Sequence, residues 1–141
     1  MINYTLEPVK IFPTDNGDVL HGMKKSADTF LGFGEVYFSE VLFRSIKAWK
    51  KHNEMTMNLL VPIGEIKFVI SDNVNSKNPK FEEVTLSKEN YKRLTIPPGM
   101  WFGFKGLSEA KSLLVNIADI EHNPKEVEQE HFKNINYDWS N

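Results

Sequence analysis

The sequence contains no cysteine, which excludes disulfide bonds, thiolate catalysis and zinc sites built on cysteine. It also lacks a run of the ~18 apolar residues that a membrane-spanning helix requires. Residues 1–10 lack the apolar segment of a secretory signal. Neither sign of charge dominates, because 17 Lys and Arg are balanced by 19 Asp and Glu. We therefore expect a cytoplasmic protein that neither enters a membrane nor has nucleic acid as its main partner.

The length and the apolar pattern indicate one all-β domain. The 141 residues suffice for one core, and no linker or repeat divides them, so residues 1–141 are expected to form a single domain. Apolar residues alternate with polar ones after Gly64, where Ile66, Phe68 and Ile70 share one face. This pattern predicts a strand there and further strands at 31–40, 44–49, 55–62, 82–86, 93–96, 101–105 and 113–117.

One segment near the C-terminus has the signals of a helix. Asn123 is a suitable N-cap, Pro124 suits the first helical position, and acidic residues follow at once. The sequence therefore predicts a short helix over 124–132 on the outside of a β-sandwich or barrel.

Residues 86–104 read LSKENYKRLTIPPGMWFGF and resemble the LSAENKRQLWIPPGFAHGF stretch of the dTDP-4-dehydrorhamnose 3,5-epimerase family. The same register continues upstream, where IKAWK (46–50) stands at the family's LRGLH and GEIKFVISD (64–72) at its GEVFDVAVD. The resemblance covers roughly residues 32–139. It implies a cupin-type double-stranded β-helix, or jelly-roll barrel, that forms a homodimer and binds a nucleotide-linked keto-sugar.

The resemblance also implies proton chemistry beside a ketone. In that family a histidine backed by an aspartate removes a proton, a lysine stabilises the enolate, and a tyrosine returns the proton. In this chain the family's histidine falls on Lys50, its lysine on Met57 and its tyrosine near Ile120. The catalytic residues of the family are therefore largely replaced.

Metal-binding cupins supply their ligands from a spaced pattern of histidines and one glutamate. This chain keeps the spacing but offers Lys50, His52, Met57 and Phe102 at the ligand positions, so a single good donor remains. We expect neither a metal nor any other cofactor.

The best catalytic candidates are His52, Lys50 and Tyr37. Lys50 and His52 lie two apart on a predicted strand, so both should face the barrel interior. His52 is then the base, Lys50 its electrostatic partner, and Tyr37 the acid that acts from the opposite face. The alternative is that the charged run 47–54 is a solvated edge.

Seven further residues are candidates for binding the substrate. Lys47 stands at the arginine of the family's LRGLH, Glu35 and Ser39 share a strand face with Tyr37, and the others are polar or aromatic residues near the expected cavity. Each has a structural alternative, such as an internal hydrogen bond, core packing or a turn cap. The set is Lys47, Glu35, Ser39, Asn58, Trp101, Asn116 and Asp119.

Two functions therefore remain open. The first is a metal-independent epimerase or isomerase of a nucleotide-linked 4-keto-6-deoxysugar, in surface-polysaccharide (for example O-antigen) or deoxysugar biosynthesis. The second is a catalytically degenerate cupin that binds a sugar nucleotide as an accessory protein. A proton donor facing His52 would favour the first.

Overall fold

The computed structural model describes all residues, 1–141, and is built almost entirely of β-strands. Two five-stranded antiparallel sheets and one small hairpin account for every strand. The strands are β1 (Thr5–Pro8), β2 (Ile11–Phe12), β3 (Val19–Leu20), β4 (Glu35–Val41), β5 (Ile46–His52), β6 (Met57–Ile63), β7 (Glu65–Ser71), β8 (Glu82–Ser87), β9 (Lys92–Ile96), β10 (Trp101–Gly106), β11 (Ser112–Ala118) and β12 (Val127–Gln129).

The two large sheets form the layers of a jelly-roll barrel, as the sequence predicted. The first sheet has the order β1-β9-β6-β11-β4, and the second has the order β12-β5-β10-β7-β8. A cluster of 16 buried apolar residues fills the space between them. Consecutive strands alternate between sheets at several points, so one continuous core forms where the inward faces meet.

The second sheet is also covered on its outer face. Its strand β7 is buried on both sides, because Val69 contributes to a second apolar cluster that includes Trp49, Trp101 and Trp139. Lys67, on the same face of β7 as Val69, is also buried, with its ammonium 5.5 Å from the Tyr137 ring. The C-terminal residues therefore serve as the outer lining of this sheet.

The eight predicted strands are all present, as β4 to β11, with ends that differ by a few residues. The short N-terminal strands β1, β2 and β3 carry little alternation and were not predicted. None of the helical segments has the length and apolar character needed to span a lipid bilayer.

The predicted helix over 124–132 is wrong. Asn123 does cap a turn, accepting a hydrogen bond from the Lys125 N–H at 3.1 Å, but only a 3₁₀ turn, Pro124–Glu126, follows. The chain then forms β12, which pairs with the end of β5, and a second 3₁₀ turn, Phe132–Asn134. The backbone groups of residues 127–129 form their hydrogen bonds with the free edge of β5, and the Glu126 side chain is buried against His52. These tertiary contacts override the local helix signals, so a solvated helix does not form.

Candidate active site

A cavity of about 260 Å³ lies between the two sheets. Apolar side chains such as Met57, Leu59 and Phe104 form its inner end. Eight polar or charged residues line the rest: Tyr37, Ser39, Lys47, Lys50, His52, Asn116, His122 and Gln129. A concave, partly apolar space with a few polar groups is the usual form of a small-molecule site.

A β-bulge places the basic residues of β5 on the cavity side. Across the β5–β10 pair, Phe102 opposes Lys50 while the next residue, Gly103, opposes Ala48, so Trp49 is the extra residue. An extra residue reverses the alternation of side chains. Lys47 therefore joins Lys50 and His52 at the cavity, although its spacing alone would send it to the other face.

His52 is held by a buried carboxylate. Its Nδ1 lies 2.5 Å from Oε2 of Glu126, and the other ring nitrogen has no protein partner. The imidazole is buried and stacks on Phe102 with ring centroids 5.8 Å apart. A carboxylate on one ring nitrogen fixes the orientation of the ring and leaves the other nitrogen available for proton transfer.

Glu126 is itself fixed by the backbone. Its second oxygen, Oε1, accepts hydrogen bonds from the N–H groups of Met55 at 2.8 Å and Glu54 at 3.0 Å. Burial acts to raise the pKa of Glu126, but the hydrogen bonds from His52, Met55 and Glu54 outweigh it, so the pKa lies below its ordinary value. The carboxylate is therefore ionised at neutral pH.

Tyr37 lines the cavity from the other sheet. It lies on β4, whereas His52 lies on β5, and its buried hydroxyl has no hydrogen-bond partner. Burial raises its pKa, and the charges of Glu35 and Glu126 add to the effect. Tyr37 is therefore protonated at neutral pH and able to donate a proton.

The remaining lining residues give the cavity a cationic side. Lys47 donates to the Glu40 carbonyl at 3.0 Å, and neither Lys47 nor Lys50 is in a salt bridge. Ser39 and Asn116 add neutral polar groups, although the Asn116 side-chain oxygen already accepts from the Asn58 N–H at 3.2 Å.

Four of the candidate residues lie outside this lining. Asn58 is buried and satisfied, since its side chain accepts from Thr95 at 2.7 Å and donates to the Thr29 carbonyl. Asp119 accepts from the Thr56 N–H at 2.8 Å. Trp101 packs in the outer cluster of the second sheet, and Glu35 accepts from the His122 N–H at 2.9 Å. The contacts of these four residues within the protein correspond to the structural roles that were the alternatives to substrate binding.

Three lining or supporting residues were missed: Glu126, His122 and Gln129. All three lie in the segment that was expected to be an external helix or its flank. Glu126 reaches His52 across 74 residues of sequence, so no local motif links them. The only available signal was an acidic residue after Pro124, which the helix interpretation assigned to the first turn.

The donor set does not fit a transition metal. No group of three or more His, Cys, Asp or Glu side chains could hold an ion. At the cupin ligand positions His52 already bonds Glu126, and the others hold Lys50, Met57 and Phe102. A lysine, a thioether and a phenyl ring do not form a site for iron, manganese or zinc.

Comparison with solved structures identifies similar proteins. A dTDP-sugar isomerase from Desulfovibrio desulfuricans G20 is 34% identical, with a TM-score of 0.89 over 99% of this chain and 94% of that one. The dTDP-4-dehydrorhamnose 3,5-epimerase of Bacillus anthracis str. Ames, solved with TDP and pyrophosphate, is 19% identical, with a TM-score of 0.80 over 98% and 85%.

A third structure has the same fold with a different reaction. QdtA, a sugar 3,4-ketoisomerase from Thermoanaerobacterium thermosaccharolyticum in complex with TDP, is 18% identical, with a TM-score of 0.74 over 92% of this chain and 89% of that one. Neither a protein-family model nor a curated protein sequence matches this chain.

Proposed function

Because this chain belongs to the dTDP-4-dehydrorhamnose 3,5-epimerase-like family of dTDP-sugar isomerases and epimerases, we propose that it interconverts nucleotide-linked 4-keto-6-deoxysugars without a metal. The observation that carries the proposal is the pairing of His52 with the ionised Glu126 at a cavity that also contains Lys50 and Tyr37. Base, cation and acid are the three groups that proton transfer beside a ketone requires.

The reaction follows from the positions of these groups. The free ring nitrogen of His52 removes a proton from a carbon next to the C4 ketone, and the electrons of that C–H bond form an enolate. Lys50 stabilises the negative oxygen. Tyr37 donates its proton to the carbon from the opposite wall, which inverts the configuration and leaves a tyrosinate.

The nucleotide is proposed to be deoxythymidine diphosphate. The isomerase that is 34% identical to this chain is a dTDP-sugar enzyme, and two further similar structures contain TDP. The cavity of about 260 Å³ is of a size for the sugar, and Lys47, which is in no salt bridge, suits the diphosphate. We propose that the protein acts on this substrate in the cytoplasm, in the synthesis of deoxysugars or a surface polysaccharide.

Solvent deuterium incorporation tests the proposal. The purified protein is incubated in D₂O with dTDP-, CDP- and GDP-linked 4-keto-6-deoxysugars, and the products are analysed by mass spectrometry and NMR. We expect exchange at a carbon beside the ketone, loss of exchange in His52→Ala, and loss of product with retained binding in Tyr37→Phe. His131→Ala, whose ring stacks on Phe132 outside the cavity, is the matched control.

The second candidate is binding without turnover. It is favoured by the lysine, methionine and isoleucine at positions 50, 57 and 120, where the family has catalytic residues. Measurable binding of a dTDP-sugar with no exchange on any substrate would establish it in place of the enzyme.

We further propose that the protein is a homodimer. The outer face of the first sheet carries two exposed apolar side chains, Val36 and Phe38, on its edge strand β4. The adjacent β11 adds two half-buried ones, Val115 opposite Phe38 and Ile117 opposite Val36. A second copy of the same chain would cover this face.

A further inference from the structure

We infer that His122 is a proton relay between solvent and Tyr37, which resets the acid of the active site after each turnover. This role rests on the function proposed above, because it is needed only if Tyr37 donates a proton during the reaction. His122 belongs to the loop after β11, and its side chain lines the same cavity as Tyr37.

The need for a relay follows from the surroundings of Tyr37. Its hydroxyl is buried and has no hydrogen-bond partner, neither a side chain nor a backbone group. A tyrosinate formed there has no hydrogen-bonded protein group from which to recover its proton. Every catalytic cycle that uses Tyr37 leaves it deprotonated and leaves the abstracted proton on His52. His52 must therefore release that proton to solvent, and a second group must carry a proton inward to Tyr37.

His122 is placed to carry that proton. Its ring lies edge-on to the Tyr37 ring with centroids 6.4 Å apart. Because the Tyr37 hydroxyl has no direct partner, one water molecule in the cavity would connect the phenol to the imidazole. His122 is exposed at the cavity mouth, and its imidazole makes no hydrogen bond within the protein. Imidazole is the side chain best suited to exchange protons near neutral pH.

The loop is fixed in this position from both sides. The His122 N–H donates to Oε1 of Glu35 at 2.9 Å, and Glu35 lies on β4 two residues before Tyr37. On the other side, Asn123 caps the turn that ends at Glu126, which is bonded to His52. His122 is therefore connected on one side to β4, which carries Tyr37, and on the other to the turn that carries Glu126.

No other side chain in the cavity fits the role. His52 is bonded to Glu126 and acts as the base, while Lys47 and Lys50 are assigned to the negative charges of the substrate. Ser39, Asn116 and Gln129 are not acid–base groups. His122 is thus the one lining imidazole that has no hydrogen-bond partner on its ring and is also exposed to solvent.

A comparison of single and multiple turnovers tests the relay. In His122→Gln, Tyr37 still begins in its protonated form, so with enzyme in excess over a dTDP-4-keto-6-deoxysugar the first conversion should proceed within twofold of the wild-type rate. With substrate in excess, kcat should fall on the order of tenfold or more, because resetting becomes limiting. Added imidazole should restore most of the lost rate.

Controls separate a relay from a structural role. The Kd for dTDP of His122→Gln should equal that of the wild type, and His131→Gln should match the wild type in every assay. An unchanged kcat, a first turnover slowed as much as kcat, weakened dTDP binding, or no rescue by imidazole would each overturn the relay. Absence of exchange by the wild type would instead overturn the proposed function, and the relay with it.

Discussion

Glu126 has two roles, because it orients His52 and also holds the β5–β6 connection. One oxygen orients His52, and the other accepts two backbone N–H groups from the β5–β6 connection. We expect Glu126→Gln to lower the rate of deuterium exchange by roughly 10²- to 10⁴-fold, because an amide can hold the imidazole in the wrong tautomer. Binding of dTDP should change little, since Glu126 is not among the cavity-lining residues.

The same substitution tests the charge of Glu126. Since its pKa is lowered by folding, the ionised carboxylate stabilises the protein fully above its unfolded pKa of about 4.3 and loses this effect as the pH falls through the folded value. Chemical unfolding at several pH values should therefore show a smaller difference between wild type and Glu126→Gln at pH 3 than at pH 6. If the difference in unfolding free energy between the two proteins did not change with pH, the charge of Glu126 would contribute nothing to stability.

Residue spacing predicted only part of this site. Lys50 and His52 were placed on one inward face by alternation and by the family register, and both line the cavity. Lys47 is there because of a bulge that spacing does not reveal. Glu126 could not be predicted, because its contact with His52 joins distant parts of the chain and depends on how the C-terminal segment folds back.

At the scale of elements, the bulge in β5 depends on a glycine in β10. A Cβ at Gly103 would lie 2.5 Å from the Cβ of Ala48 and 3.1 Å from the Trp139 ring. The absence of a side chain lets β5 approach at the bulge and leaves room for the Trp139 indole against β10. Gly103 thus supports both the outer cluster and the inward direction of Lys47.

We expect Gly103→Ala to destabilise the fold by about 1–3 kcal/mol through overpacking. Thermal or chemical unfolding measures this loss. Gly22→Ala is the matched control, because its Cβ would meet only the flexible ends of Leu60, at 3.2 Å, and Ile117, at 3.8 Å. If the two variants proved equally stable, close packing at the bulge would not constrain the chain.

The C-terminal segment shows where local signals fail. Asn123 and Pro124 specify the start of a turn, and a turn begins there. The continuation is decided by tertiary contacts, because β5 offers an unpaired edge and Val127 to Gln129 pair with it. Strands β4 to β11 were predictable because the apolar residues in their sequences reflect burial in the core. The edge strand β12 has only three residues and therefore shows no such pattern.

At the scale of the whole molecule, the two sheets differ in how their outer faces are covered. The second sheet is sealed by an aromatic cluster that includes Trp49, Trp101 and Trp139. The first sheet has the segment around Gly22 over β6 but leaves Phe38 of β4 66% exposed. Exposed apolar side chains on paired strands are costly in water unless another surface covers them.

This asymmetry leads to a test of the proposed homodimer. Sedimentation equilibrium should give the wild type twice the chain mass of 16.3 kDa, whereas Phe38→Glu should shift the protein towards the monomer by placing a charge in the apolar interface. Leu42→Glu is the control, because Leu42 is 61% exposed but lies in the turn beyond β4. A monomeric wild type, or equal dissociation of both variants, would show that this face does not hold a second copy. Tyr37 also lies on β4. If the dimer interface holds this strand in position, dissociation by Phe38→Glu should also lower the enzymatic activity, and if it does not, the monomer should keep its activity.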